Sequence, residues 1–417
     1  MCSIGIGCTE GPRIRHDNGV YQKVNYMKTI AVLGAGYAGL RTVKRLAHSN
    51  VNTRIVLVNK NPYHYESTQL HQVAAGTKEP ADVSFDIKKS LPAGVEFILD
   101  EVVSIDEAKR VVTFKKHESL VYDYLVNALG FESETFGIKG AEENGWPLID
   151  IDTALAAREH LEHTLASYRH SHDENDLHIA VCGAGFTSIE YLGELVYRMP
   201  ELVKRYGLPA DKIKIYCIEA APKVLPMFDD KMVAWAVDYL KKRGVEFHTS
   251  TPITEVKAGS VVSNGLEFKA NTIIWTTGVR GSHVIADSGY DQKRNRVVVK
   301  DDLSVEGHPE EFLIGDVSAV PDPSTGRFYP TTAQISIAQA DTAAANLAAL
   351  LEGRKTSKFD FKSVGTVCSL GPQAGIADIH MMGHWKLKGA IVGVVKKIVN
   401  DRSVLELAKV SNMLESN

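Results

Sequence analysis

Two stretches of the chain share one pattern of apolar and polar positions. From Lys28, "KTIAVL" is almost unbroken apolar, "GAGYAG" interrupts with small residues, and "LRTVKRLA" carries apolar residues three and four apart. An unbroken apolar run suits a parallel strand buried on both faces, and the three-to-four spacing suits a helix with one buried face. "TRIVLVN" (53–59) is the next apolar run. The stretch therefore predicts strand, glycine turn, helix and second strand within one βαβ unit. "LHIAVCGAGFTSIEYLGEL", from Leu177, repeats the pattern, with its partner strand in "KIKIYCIEA" (212–220).

Between and after these units the pattern predicts further elements. "STQLHQVAAG" opens a short helix that Gly76 stops. "VEFILDEVVSID", "RVVTFKK" and "YDYLVNALG" have strand composition, and "IDTALAAREHLEHTLASYRH" is helical. Past the second unit, "MVAWAVDYLKKRG" reads as a helix and "VEFHT", "TIIWTTG", "NRVVVK" and "EFLIGD" as strands. "TTAQISIAQADTAAANLAALLEG" reads as a long Ala-rich helix ended by Gly353. The fold class is α/β, with two Rossmann-like dinucleotide-binding domains and a C-terminal membrane-associating segment. The expected division is 27–150 for the first part of one domain, 151–285 for the other, 286–355 for the return to the first, and 356–417 for the C-terminal segment. Residues 1–26 lack periodicity and an apolar signal core, and are expected to be a disordered extension or an artefact ahead of Met27.

Composition narrows the function. A 44% apolar, 24% charged chain of 417 residues with net charge −4 has no basic field for nucleic acid. Five cysteines without a CxxC spacing neither staple a fold nor form a zinc site, which fits a reducing compartment, and no metal is expected. No apolar run is long enough to cross a bilayer.

The glycine turns carry the chemistry. In Gly34-x-Gly36-x-x-Gly39 the first glycine allows the tight turn, the second a close approach to a pyrophosphate, and the third tight packing of helix on strand. The helix N-terminus behind the turn favours the anion. The second turn is Gly183-x-Gly185-x-x-Ser188, with serine for the third glycine. At the end of each partner strand, where a ribose anchor belongs, stand Asn59 (with Lys60 beside it) and Glu219. A carboxylate at Glu219 bonds a 2′-hydroxyl and repels a 2′-phosphate by ~1–4 kcal/mol at ~4 Å, favouring NADH over NADPH. Two pyrophosphate turns imply two dinucleotides: a resident flavin and a nicotinamide that exchanges. "NALG" (127–130) and "TTG" (276–278) suit crossings between domains beside the cofactors, and Asp316 after "FLIG" suits a ribitol hydroxyl or a helix cap.

With "VLGAGYAGL", "VNKNPYHYES", "VCGAGFTSIEYLGEL", "LIGDVSAV" and "YPTTAQISIAQ" together, the chain resembles the two-dinucleotide-domain flavoproteins, and most closely the type II NADH:quinone oxidoreductases, over about residues 28–400. The resemblance implies FAD at the first turn, on Gly34, Gly36, Ala38 and Gly39, with Asn59, Lys60, Thr68, Val103, Ala128, Gly130, Asp316, Ala333 and Gln334 along it, and Tyr65 as a further flavin neighbour. It implies NADH at the second turn, on Gly183, Gly185, Phe186, Thr187, Glu219, Thr277 and Gly278. It makes Glu190 and Gln334 the catalytic candidates, Glu190 as a proton relay and Gln334 facing a quinone. Gln339 is displaced by one place from the family's spacing, a rotation of ~100° on a helix, and is not expected at the quinone. The alternative for Glu190 is a solvated helix carboxylate.

In the tail, Leu387, Ile391, Val394, Val395, Ile398 and Val399 fall on one helical face, with Lys388, Lys396 and Lys397 flanking or opposing it. That predicts a helix lying in the headgroup plane with its lysines towards anionic lipid. The resemblance implies membrane quinone as acceptor and a peripheral place on the cytoplasmic face of the cell membrane, and the expected protein is a homodimer. A disulfide reductase or sulfide:quinone enzyme needs paired cysteines, which are absent. A soluble NADH-dependent flavin reductase or oxidase and an NADH-binding redox sensor remain as alternatives.

Overall fold

The computed structural model describes residues 27–49, 51–380 and 383–408. Residues 1–26, expected to be disordered, lie outside the described residues.

Each predicted unit sits in its own parallel sheet. The first has the strand order Ser304–Val305, His308–Leu313, Tyr124–Asn127, Lys28–Leu33, Thr53–Asn59, Val95–Leu99, all parallel except the short Ser304–Val305 edge. The second has the order Trp146–Pro147, Thr272–Trp275, His178–Cys182, Lys214–Ile218, Val245–His248, parallel throughout. In both, the strand before the glycine turn lies between its βαβ partner and a strand that arrives later in the chain. Ile30, Ala31, Val32 and Leu33 are wholly buried, in one core shared with the helices Tyr37–His48 and Ala333–Leu351 and with the antiparallel strands Val102–Asp106 and Val111–Phe114. The Ala-rich helix Ala333–Leu351 packs on the first-turn helix Tyr37–His48, and Arg41 clamps Asp341 across them with two hydrogen bonds of 2.6 and 3.0 Å.

The chain crosses between the sheets twice, at Phe131–Ser133 and Val279–Gly281, and these segments pair antiparallel with each other. The first crossing therefore precedes the expected boundary at 150: Trp146–Pro147 already belongs to the second sheet. The second crossing lies close to 285.

The C-terminal segment holds a structure the sequence pattern did not suggest, an antiparallel sheet of Gly365–Ser369, Gly375–Ile379 and Trp385–Lys388, followed by the helix Ile391–Leu407. Leu387, expected on the helix, pairs with Ala377 in this sheet. The sheet comes unusually close to the second-turn helix, Phe186–Tyr206. A Cβ added at Gly193 would stand 2.4 Å from the Gly371 nitrogen and the Leu370 carbonyl carbon. A glycine inside a helix costs about 1 kcal/mol relative to alanine; here it admits a backbone.

Candidate active site

The two glycine turns are built alike. Gly34 has φ +93° and Gly183 φ +107°, and a Cβ would collide with Ala128 O at 2.2 Å in the first and Thr276 O at 2.6 Å in the second. Those carbonyls open "ALG" and "TTG", so each turn is pinned to its own crossing. Gly34 N donates to Val58 O at 2.8 Å, and Gly183 N to Ile218 O at 2.7 Å. The next amide finds a side chain at the end of the partner strand: Ala35 N donates to Asn59 Oδ1 at 2.9 Å, and Ala184 N to Glu219 Oε2 at 2.7 Å. Asn59 and Glu219 thus hold equivalent places, and Glu219 takes a second N–H, from Ala221, at 2.8 Å.

The second glycine of each turn, Gly36 and Gly185, caps the following helix with ordinary negative φ and faces open space within 4 Å. Neither helix has an acid in its first turn, so nothing there opposes an anion. The third positions differ. A Cβ at Gly39 would meet Gly34 O at 1.8 Å, whereas Ser188 is tolerated and bonds Thr276 Oγ1 at 2.9 Å.

In front of the first turn lies an open cleft, walled by Gly34, Gly36, Ala38, Asn59, Lys60, Tyr65, Ala128, Gly130 and Asp316 among others. Asp316 stands on a single turn, Gly315–Val317, where burial pushes its carboxyl up to about 6 against the pull of Arg296. Val102 lines the cleft, while its neighbour Val103 is exposed and outside the cleft walls. Thr68 is also outside the cleft walls; its hydroxyl meets Tyr37 Oη at 3.1 Å, and Ser67 takes its place on the wall. Tyr65 Oη donates to Ile149 O at 3.2 Å. The open space at Gly36, the helix N-terminus without a first-turn acid and the Asp316 carboxyl, which takes no hydrogen bond from the described residues, fit a bound dinucleotide.

Ala333 and Gln334 begin the Ala-rich helix, capped by Thr332 Oγ1, beyond the cleft walls. Gln339 is buried and accepts Gly315 N–H at 2.6 Å, fixing the turn that carries Asp316. At the second turn, Phe186 and Thr187 open the helix, Thr277 Oγ1 donates to Glu134 O at 3.3 Å, and Gly278 adjoins Phe136.

Glu190 is buried, which overturns the solvated alternative. Ser369 gives it a backbone N–H at 2.9 Å and a hydroxyl at 3.2 Å, His71 Nδ1 lies 3.6 Å away, and the ammonium of Lys396 hydrogen-bonds it. Burial raises its carboxyl, but Lys396, His71 and the Ser369 N–H outweigh that and hold it below the usual range. Lys396 therefore points into the protein, correcting its expected place on the lipid side. Sequence reading missed this cluster because its members come from four distant segments; the one local signal is Gly193, a glycine inside a helix one turn past Glu190. Cys182, Cys217 and Cys368 are unpaired, and burial pushes their thiols up, so they offer no thiolate.

Two matching turns on two parallel sheets define a two-dinucleotide-domain protein. A family model described as pyridine nucleotide-disulphide oxidoreductase matches residues 28–343. A type II NADH:quinone oxidoreductase of Staphylococcus epidermidis is 45% identical over 392 residues, covering 91% of this chain and 96% of that protein. The enzyme of that name from Staphylococcus aureus is 43% identical with the same coverage. Among solved structures, NDH2 from Plasmodium falciparum in complex with NADH superposes with a TM-score of 0.80 at 17% identity, covering 92% of this chain and 97% of the other. The sulfide:quinone oxidoreductase of Aquifex aeolicus gives 0.74 at 20%, covering 91% of each; at such identities the likeness concerns the fold. The chain belongs to the type II NADH:quinone oxidoreductases, within the pyridine nucleotide-disulphide oxidoreductase family.

Proposed function

We propose that this chain oxidises NADH at its second glycine turn and reduces a quinone by way of FAD held in the cleft of its first. The observation that carries this reading is the equivalence of the two turns, Ala35 N–H to Asn59 in one and Ala184 N–H to Glu219 in the other. When bound, the flavin supplies the two-electron exchange that no side chain here performs. The protein binds and orients. Gly36 and Gly185 leave room for the pyrophosphates, Asp316 offers its carboxyl to a hydroxyl of the flavin's chain, and Glu219 offers oxygens to the adenosine ribose of NADH while repelling a 2′-phosphate there.

Glu190 and Gln334 are assigned to the quinone side. The C-terminal helix supports a peripheral position on lipid. Ile391, Val394, Ile398 and Val399 are exposed along one stripe, with exposed Lys388 and Lys397 nearby, and no described helix is long and apolar enough to cross a membrane. The same stripe could be shared between two subunits of a homodimer, on the cytoplasmic face. Steady-state NADH oxidation with a ubiquinone or menaquinone analogue, with and without liposomes, tests this. Fast turnover that needs quinone supports it. Turnover indifferent to quinone and lipid identifies a soluble reductase instead.

A further inference from the structure

The antiparallel pair Gly375–Ile379 and Trp385–Lys388 closes the C-terminal sheet, and the polar residues at its end have no part in the function above. Its register pairs Asp378 with Lys386 and Ile379 with Trp385, and His380 and His384 stand immediately beyond that last pair. Residues two apart on a strand share a face, as do residues directly opposed. Asp378 and Lys386 therefore leave the sheet on one side, and His380 and His384 turn to that same carboxylate. Lys386 is drawn off to Asp229 at 2.8 Å, leaving the carboxylate of Asp378 to the two imidazoles.

His384 Nε2 lies 2.6 Å and His380 Nε2 3.3 Å from the same oxygen of Asp378, and one ligand atom from each residue lies within 4.8 Å of the other two. We propose that Asp378, His380 and His384 bind a divalent transition metal of the zinc or nickel type. Ligands held ~2.0–2.1 Å from a tetrahedral ion stand ~3.3 Å from one another, inside the spread seen here. Asp378 is the fixed member, with its side chain 18% exposed, while His380 and His384 are 48% and 58% exposed and have room to turn onto an ion. Two imidazoles with one carboxylate favour zinc, nickel or copper over magnesium and calcium. Water completes the coordination. A second triad, Glu107, His308 and Glu311, is less suited: both oxygens of Glu311 already accept hydroxyls, from Tyr122 and Tyr290.

The test is calorimetric titration of the untagged, FAD-loaded full chain with Zn²⁺ and with Ni²⁺, beside H380A/H384A and D378N. The wild-type chain should take up one ion saturably, more weakly at acidic pH where protons compete for the imidazoles. The double variant should bind about tenfold more weakly or worse, and D378N should be impaired too. Zn²⁺ should raise the thermal midpoint of the wild type and leave that of the double variant unmoved. Equal stoichiometry and affinity in wild type and double variant, or no saturable uptake by the wild type, overturns the site.

Discussion

The ammonium of Lys396, on the C-terminal helix, hydrogen-bonds the buried carboxylate of Glu190, on the helix behind the second glycine turn. The contact spans 206 positions of chain and ties the segment with the exposed apolar stripe to the nicotinamide-side domain. Whatever moves the C-terminal helix also moves the charge beside Glu190.

Removing one member of a buried pair leaves the other uncompensated, at a cost of about 3–5 kcal/mol. Lys396→Met should therefore destabilise strongly, while Glu190→Gln with Lys396→Met should cost less than the two single changes added together. A double-mutant cycle by chemical denaturation measures this; strictly additive values would mean that the two residues do not interact.

His71 is held down to about 3, by burial first, with Lys396 adding and Glu190 opposing. An unfolded imidazole takes its proton near 6.5, so between there and about 3 the unfolded chain binds a proton that the folded chain refuses. Stability then falls as pH falls, by up to ~1.4 kcal/mol per unit from this group. Glu190, also held low, acts in the same direction further into acid: its contribution is present above the ordinary carboxyl range and is lost as pH drops through its lowered value. His71→Asn should flatten the loss between pH 7 and 5 relative to wild type. Parallel stability curves for the two proteins would rule this out.

Gly36 and Gly185 have negative φ and open space around them, so alanine at either should leave folding intact. Gly36→Ala should weaken flavin retention about tenfold, because the methyl group enters the space a pyrophosphate needs. Gly185→Ala should keep the flavin and instead raise the KM for NADH. Flavin absorbance per chain and NADH kinetics separate the two, and a loss of flavin in Gly185→Ala would reverse the assignment of the turns.

Glu219→Gln keeps an oxygen for the Ala184 N–H but removes the charge. The ratio of kcat/KM for NADH over NADPH should fall about tenfold, within the range set by one charge pair at ~4 Å. An unchanged ratio would mean that the carboxylate does not face the 2′ position.

The parts legible from sequence were those with a local cause. Gly34 and Gly183 need positive φ, and unbroken apolar runs such as Ile30–Leu33 need a sheet covered on both faces, so both units could be read without tertiary knowledge. Glu219 was readable as the end of a strand. The rest depended on packing. "KLK" has helical spacing, but pairing with Ile376–Asp378 makes it a strand. Val102 and Val103 differ only by the register of a short strand. Lys396 looked like one more lysine on a polar face until Gly193 let the Leu370–Gly371 backbone close on the helix and built the pocket it enters.

The claim on which the rest depends is that one chain holds both coenzymes and passes electrons between them. Anaerobic stopped-flow absorbance at the flavin band tests it most directly. NADH should bleach one flavin per chain, and a quinone analogue added afterwards should restore the yellow colour. A protein that stays colourless after incubation with FAD, or whose flavin NADH fails to bleach, would contradict the account.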